Sequence, residues 1–181
     1  MFLVYYGQFV MPIRITTDSS KNLYVTDMAI GVQKFDSEWN FDSSWNAFRN
    51  SSERLFVGEP YSTLQHSINP IGISIDWKDN VYVTEYSGKV LEFDTNGNLL
   101  GEWGSEGAGT GQFLLPAGIA VDFEDNVYVT DSINHRVPKV RQQWRIHYHM
   151  GIYGEGRWTI HNSYRDCYRF DRKCICGRLL Q

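Results

Sequence analysis

Between residues 13 and 137 apolar and polar positions alternate in short runs with a period of two, the spacing of a strand and not of a helix. The same order of runs comes three times. An alternating run leads each copy: Ile13–Thr17, Ile71–Ile75 and Ala117–Val121. Each is followed by an aspartate (Asp122 in the third copy, Asp18 and Asp76 before it) and, after three more residues, by Asn22, Asn80 or Asn126. A second run starts at once: Leu23–Asp27, Val81–Glu85 and Val127–Asp131. A third occupies Val32–Asp36 and Val90–Asp94 in the first two copies. Asn96-Gly97 then predicts a tight turn into a fourth strand, Leu99–Trp103, and Trp45 holds the place of Trp103 in copy one. Valine, isoleucine, tyrosine and threonine fit a pleated surface, while Asp and Asn bond their own backbone in turns, so the pattern predicts strand–turn–strand units.

The acidic residue that closes the second strand falls at 27, 85 and 131, intervals of 58 and 46 residues. Four short strands in about 46 residues is the period of a propeller blade. The longer first interval places an inserted loop in 46–69. Strands apolar on both faces, such as Val127-Tyr128-Val129, suit a sheet stacked between two others. The predicted fold is all-β: a partial β-propeller of about three four-stranded antiparallel blades, near 7–57, 69–110 and 111–137, with an irregular tail over 138–181.

Charge separates those two parts. Residues 1–137 hold 8 Lys+Arg against 18 Asp+Glu, and residues 138–181 hold 9 against 3, so a net of −10 gives way to +6. The three cysteines, Cys167, Cys174 and Cys176, all lie in the tail, so the repeats are silent about redox compartment. No run approaches the roughly 18 apolar residues of a membrane span. Met1–Tyr6 lacks the basic flank of a signal peptide. Localisation is therefore open, with no membrane partner expected.

The third copy should run on after Val137 into a strand ending Phe-Asp, but the chain reads Pro138-Lys139-Val140-Arg141. Removing one nucleotide from codons compatible with the tail gives Gln-Arg-Phe-Asp-Ser-Asn-Gly-Glu-Phe-Ile-Thr-Ile-Trp-Gly, the missing half of the blade, and then the first half of another. Two of these outcomes are fixed by the genetic code: Trp144-Arg145 must yield glycine and His149-Met150-Gly151 must yield tryptophan. The tail is read as out of frame. That removes the most tempting chemistry, a zinc-like set of His147, His149, His161, Cys167, Cys174 and Cys176. Its Cys-x-Cys with scattered histidines is not a paired-ligand spacing.

Pro116–Asp122, Asn126–Asp131, Asn134–Val137 and Gly104–Phe113 resemble the NHL repeat, named for an Asn-His-Leu-like triplet that is here Asn134-His135-Arg136. The resemblance runs over nearly all of 7–137 and implies a propeller, commonly six-bladed. Copies one and two depart from the triplet, with Ala29-Ile30-Gly31 and Ser87-Gly88-Lys89. The expected function is a binding scaffold with protein partners, because function on such a ring lives in its loops. Asn134, His135 and Arg136 are the candidate partner surface. No catalytic residue and no cofactor are expected.

The alternative is a propeller enzyme of the metal-dependent lyase or lactonase type, which the resemblance permits. A divalent metal would then sit at a central channel, with Asp27, Glu85 and Asp131 as candidates because they recur at one blade position. The blander reading makes them strand-end hydrogen-bonding residues. His66 and His135 lie on different repeats. RNA binding is a third reading; nucleic acid is disfavoured because phosphate contact needs Lys and Arg, and residues 1–137 are acidic. Gly104–Gly111 lies between strands, so it is not read as a phosphate cradle. Trp77 and Trp103 read as packing aromatics, and Asn50-Ser51-Ser52 fits a glycosylation acceptor.

Overall fold

A computed structural model describes residues 2–3, 7–45, 56–57, 69–140, 146–153, 157–162, 165–170 and 173–176, with side chains over 7–45 and 69–140. Most of the expected insertion, with Asn50-Ser51-Ser52 and His66, lies outside the described residues, as do the side chains of the tail histidines and cysteines.

β1 (Phe2–Leu3) is followed by a four-stranded antiparallel meander of β2 (Pro12–Thr17), β3 (Leu23–Asp27), β4 (Gly31–Phe35) and β5 (Phe41–Trp45). β6 (Phe56–Val57) pairs with β1. A second meander comprises β7 (Pro70–Ile75), β8 (Val81–Glu85), β9 (Lys89–Phe93) and β10 (Leu99–Trp103). A third begins with β11 (Pro116–Val121), β12 (Val127–Asp131) and β13 (Arg136–Val140). The tail expected to be irregular continues this sheet: β14 (Ile146–Tyr153), β15 (Arg157–Asn162), β16 (Arg165–Phe170) and β17 (Lys173–Cys176) add antiparallel strands in turn. Each takes up the backbone groups that the preceding edge leaves unpaired.

One turn joins strands at five places where an aspartate is followed four residues later by an asparagine. Asp18–Asn22, Asp36–Asn40, Asp76–Asn80, Asp94–Asn98 and Asp122–Asn126 all have it. In each, the aspartate N–H donates to the asparagine carbonyl, and the residue before the asparagine donates back to the aspartate carbonyl. That residue has positive φ: Lys21 65°, Trp39 71°, Asp79 67°, Gly97 81° and Asp125 60°. The aspartate Oδ1 accepts the asparagine N–H, at 2.8 Å in Asp18 and Asp76 and 2.9 Å in Asp122. The asparagine Nδ2 donates to Oδ2 at 2.8, 2.9 and 2.8 Å in the same three. This is why the pair recurs at that spacing: one carboxylate closes both rims of a tight hairpin.

The three sheets stack face to face. Tyr24, Val32 and Trp45, on what we term the far face of the first blade, pack on Ile73, Val81, Val83, Leu91 and Phe93, the near face of the second. Tyr82, Val90 and Trp103 of the second blade, with Phe113, pack in the same way on Val127, Val129 and Val140 of the third. Trp45 lies 5.5 Å from the Tyr24 ring and 5.7 Å from Phe93, tying the seam by tilted aromatic contacts. Leading strands β2, β7 and β11 are neighbours. Gly72 makes the closest approach possible, since a Cβ there would stand 2.8 Å from the Ala117 carbonyl oxygen.

Candidate functional site

The carboxylates of Asp27, Glu85 and Asp131 stand at the ends of β3, β8 and β12, opposite Pro12, Pro70 and Pro116 at the starts of the leading strands. The repeat therefore brings them to one blade position. Asp27 is fully buried. Its Oδ2 accepts from the Val10 and Met11 N–H groups at 2.7 and 3.0 Å, and its Oδ1 from Ala29 N–H at 2.9 Å. Asp131 is equally buried; Oδ1 accepts from Leu114 N–H at 2.6 Å, and Oδ2 from Asn134 Nδ2 and Arg136 Nε, each at 2.8 Å. These carboxylates hold the segments that lead into β2 and β11. Glu85 is half-buried, and its charge adds to the field that raises Lys89 above the usual lysine value after the Glu102 hydrogen bond.

The triplet at the β12–β13 turn divides its work. Asn134 Nδ2 also donates to the Gly107 carbonyl at 3.0 Å. Arg136 spreads its guanidinium over the glycine-rich loop, donating to Ala108 O at 2.9 Å, Gly109 O at 3.1 Å and Gln112 O at 2.7 Å, while its Nε meets Asp131. Only a planar, five-donor cation can satisfy that set of carbonyls and a carboxylate together. His135 stands exposed between them with φ 52°. Sequence reasoning placed the three as a surface; it missed that Arg136 is the clasp of Gly104–Gly111. No signal in the sequence could have found this, because the triplet stands in one copy only.

The opposite end of the blades carries the Asp–Asn turns. Burial pushes the Asp122 carboxyl up, but the Asn126 side chain and backbone, the Tyr128 hydroxyl and the Glu124 N–H outweigh it and hold the group down at about 2. Burial and the Asp18 hydrogen bond raise the Tyr24 hydroxyl; burial and Glu92 raise Tyr82. At the blade seams the turns touch. Ser19 N–H and Oγ donate to Asp79 at 2.9 and 2.6 Å, and Trp77 Nε1 and Lys78 Nζ to Asp125 at 2.9 and 2.8 Å. Trp77 nevertheless stays 59% exposed and Phe123, at the same place in the third blade, 91%. Among the described residues no group of three His, Cys, Asp or Glu side chains gathers as a metal cluster, and no helix is long and apolar enough to cross a membrane.

The architecture defines an all-β protein of propeller-like repeats. Residues 113–138, from Phe113 through the Asn134-His135-Arg136 turn, match the model of the NHL repeat. Among solved structures, a streptogramin B lyase is similar with a TM-score of 0.54 at 9% identity, over 87% of this chain and 57% of that one. A virginiamycin B lyase from Staphylococcus aureus is similar at 0.54 and 12% identity, over 88% and 59%. Hydrazine synthase from Kuenenia stuttgartiensis follows at 0.52 and 14%, over 77% and 36%. The chain thus spans little more than half the length of the lyases, and the likeness is one of fold. No curated protein sequence matches it.

Proposed function

We propose that this chain is part of a binding scaffold that takes a protein partner at the end of the blades bearing the Asp–Asn turns. The observation that carries this reading is the exposure of Trp77 and Phe123 at matching seam positions among the turn carboxylates Asp76, Asp122 and Asp125. Aromatic groups standing in an acidic field fit a partner segment that offers arginine or lysine beside apolar side chains. Titrating the chain with an arginine-rich peptide, followed by tryptophan fluorescence, is expected to give saturable binding that weakens about tenfold in the Trp77→Ser, Phe123→Ser double variant. Equal affinity in that variant, or tighter binding of a single-stranded RNA at moderate salt, would overturn it.

The second reading is a lyase, favoured by likeness to the streptogramin and virginiamycin B lyases, one of which loses activity on a single histidine-to-alanine change. Under it a divalent metal would approach Asp27, Glu85 and Asp131. The hydrogen bonds that engage Asp27 and Asp131 support a structural role for them instead. Turnover of quinupristin by the chain with a divalent cation would reverse that preference.

A further inference from the structure

One position on the third strand of each blade faces the tyrosine of the second strand across the ladder: Lys34 opposite Tyr24, Glu92 opposite Tyr82 and Lys139 opposite Tyr128. In the first and third blades a cation stands there, with Lys34 Nζ 5.8 Å from the Tyr24 ring centroid and Lys139 Nζ 5.4 Å from that of Tyr128. Position 139 is basic in either reading frame, because one base on from Lys139-Val140 the code permits only lysine or arginine. Each of those tyrosines gives its single proton to the turn aspartate, Tyr24 to Asp18 at 2.9 Å and Tyr128 to Asp122 at 3.0 Å. The second blade exchanges the cation for a carboxylate.

That exchange puts two carboxyl groups on one hydroxyl. The buried Tyr82 donates to Glu92 Oε1 at 2.9 Å, and its oxygen lies 3.3 Å from Asp76 Oδ2. A phenol has one proton, so with both carboxyls ionised one of these contacts sets lone pair against lone pair. Asp76 is committed to its turn: Oδ1 accepts from Lys78 and Asn80 N–H, each at 2.8 Å, and Oδ2 from Asn80 Nδ2 at 2.9 Å. The charges facing Glu92 are Asp76 and Lys78 from the β7–β8 turn and Asp125 from the β11–β12 turn of the next blade. Lys78 is itself engaged by Asp125 at 2.8 Å. Burial, with the Asp76 and Asp125 charges, pushes the Glu92 carboxyl above the usual value and outweighs the Tyr82 hydrogen bond and Lys78.

We infer that Glu92 is a proton-operated latch on the seam between the second and third blades. One proton on its carboxyl completes a chain in which Glu92 donates to the Tyr82 oxygen and Tyr82 donates to Asp76 Oδ2. Loss of that proton leaves Glu92 ionised beside Asp76 and, across the seam, Asp125. The Tyr82 ring is itself a seam residue, packed with Trp103 and Phe113 on Val127 and Val129. A carboxyl whose folded value is raised lends stability that is whole below the unfolded glutamate value of about 4.3 and is lost as pH rises through the folded value. The seam is thus tighter in mildly acid solution than at neutral pH. No partner enters the hydrogen-bond chain, so peptide binding and seam closure are separable readouts.

Urea unfolding of the full chain at stepped pH, set beside Glu92→Gln, tests this, because the glutamine amide stands in for the protonated carboxyl. The unfolding constant of the native chain relative to the variant is expected to rise several-fold from about pH 4.5 to about pH 7. Hydrogen exchange of Asp122–Asn126 and of β8 is expected to be faster in the native chain than in Glu92→Gln at neutral pH, and to converge at the acid end. Glu92→Lys restores the cation of the other blades and is expected to show the same profile as the glutamine variant; it decides the matter if that variant folds poorly. A native profile parallel to both variants would overturn the proposal. So would equal exchange of Asp122–Asn126 at neutral pH, which would leave Glu92 with no hold on the seam.

Discussion

At the residue scale, the Asp–x–x–x–Asn turn carries most of what organises this chain. Its carboxylate accepts two backbone N–H groups and the Asn amide, and in the second-strand turns also a tyrosine hydroxyl: Tyr24 to Asp18 at 2.9 Å, Tyr82 to Asp76 at 3.3 Å and Tyr128 to Asp122 at 3.0 Å. At Asp18 and Asp122 those bonds favour the charged form, which gives these two turns a pH signature. A carboxyl held below its unfolded value near 3.9 adds stability at neutral pH, and that stability is lost as pH falls from about 4 toward the folded value of about 2 for Asp122. Asp122→Asn is expected to lower stability at pH 7 and to flatten its fall between pH 4 and 2, as urea unfolding at stepped pH would read. An unchanged slope would remove Asp122 from this role. The aspartates at 18, 76 and 122 and their asparagines were legible in the sequence because they repeat. Asp36–Asn40 was read only as a strand end, since Trp39 stands where Gly97 marks the tight turn in the second blade and hides the likeness. Gly97 itself is required: a Cβ there would lie 2.4 Å from the Trp45 ring.

At the scale of the element, the strand registers of the three blades agree to the residue. Trp45 stands opposite Val32 and Trp103 opposite Val90; in the third blade the partner of Val137 is Met150. Phe35 stands opposite Leu23 and Phe93 opposite Val81; in the third blade Val140 faces Val127. Reading the tail one base on places phenylalanine at 140 and, by a forced codon, tryptophan at 150. Both missing aromatics thus return to the positions the other blades use. Sequencing the coding DNA across codons 130–145 is therefore expected to show one surplus nucleotide; a confirmed frame would leave the loss of these aromatics a property of the protein. The blades were legible because turn chemistry and alternation pointed to the same boundaries. The pairing of β14 to β17 was not, because runs such as Ile146–Tyr153 carry no repeat to compare with, and an open edge accepts many sequences.

For the molecule as a whole, the stability of each blade is shared with its neighbours, as in other repeat proteins, because each apolar face is buried only by the next sheet. The clasp of Arg136 on the glycine-rich loop, tethering the β12–β13 turn to the link between the second and third blades, could not be read from a single copy of the triplet. The seam residues could, since Tyr24, Tyr82, Trp45 and Trp103 recur. Hydrogen exchange in a Trp45→Ala variant tests the stacked arrangement most directly. Truncating a buried tryptophan removes about 3–5 kcal/mol of packing at such a site. Amides of β8 and β9 in the second blade are expected to exchange faster along with those of β3 to β5, although the substitution lies in the first blade. Acceleration confined to residues 12–45, with the second blade unmoved, would contradict the account.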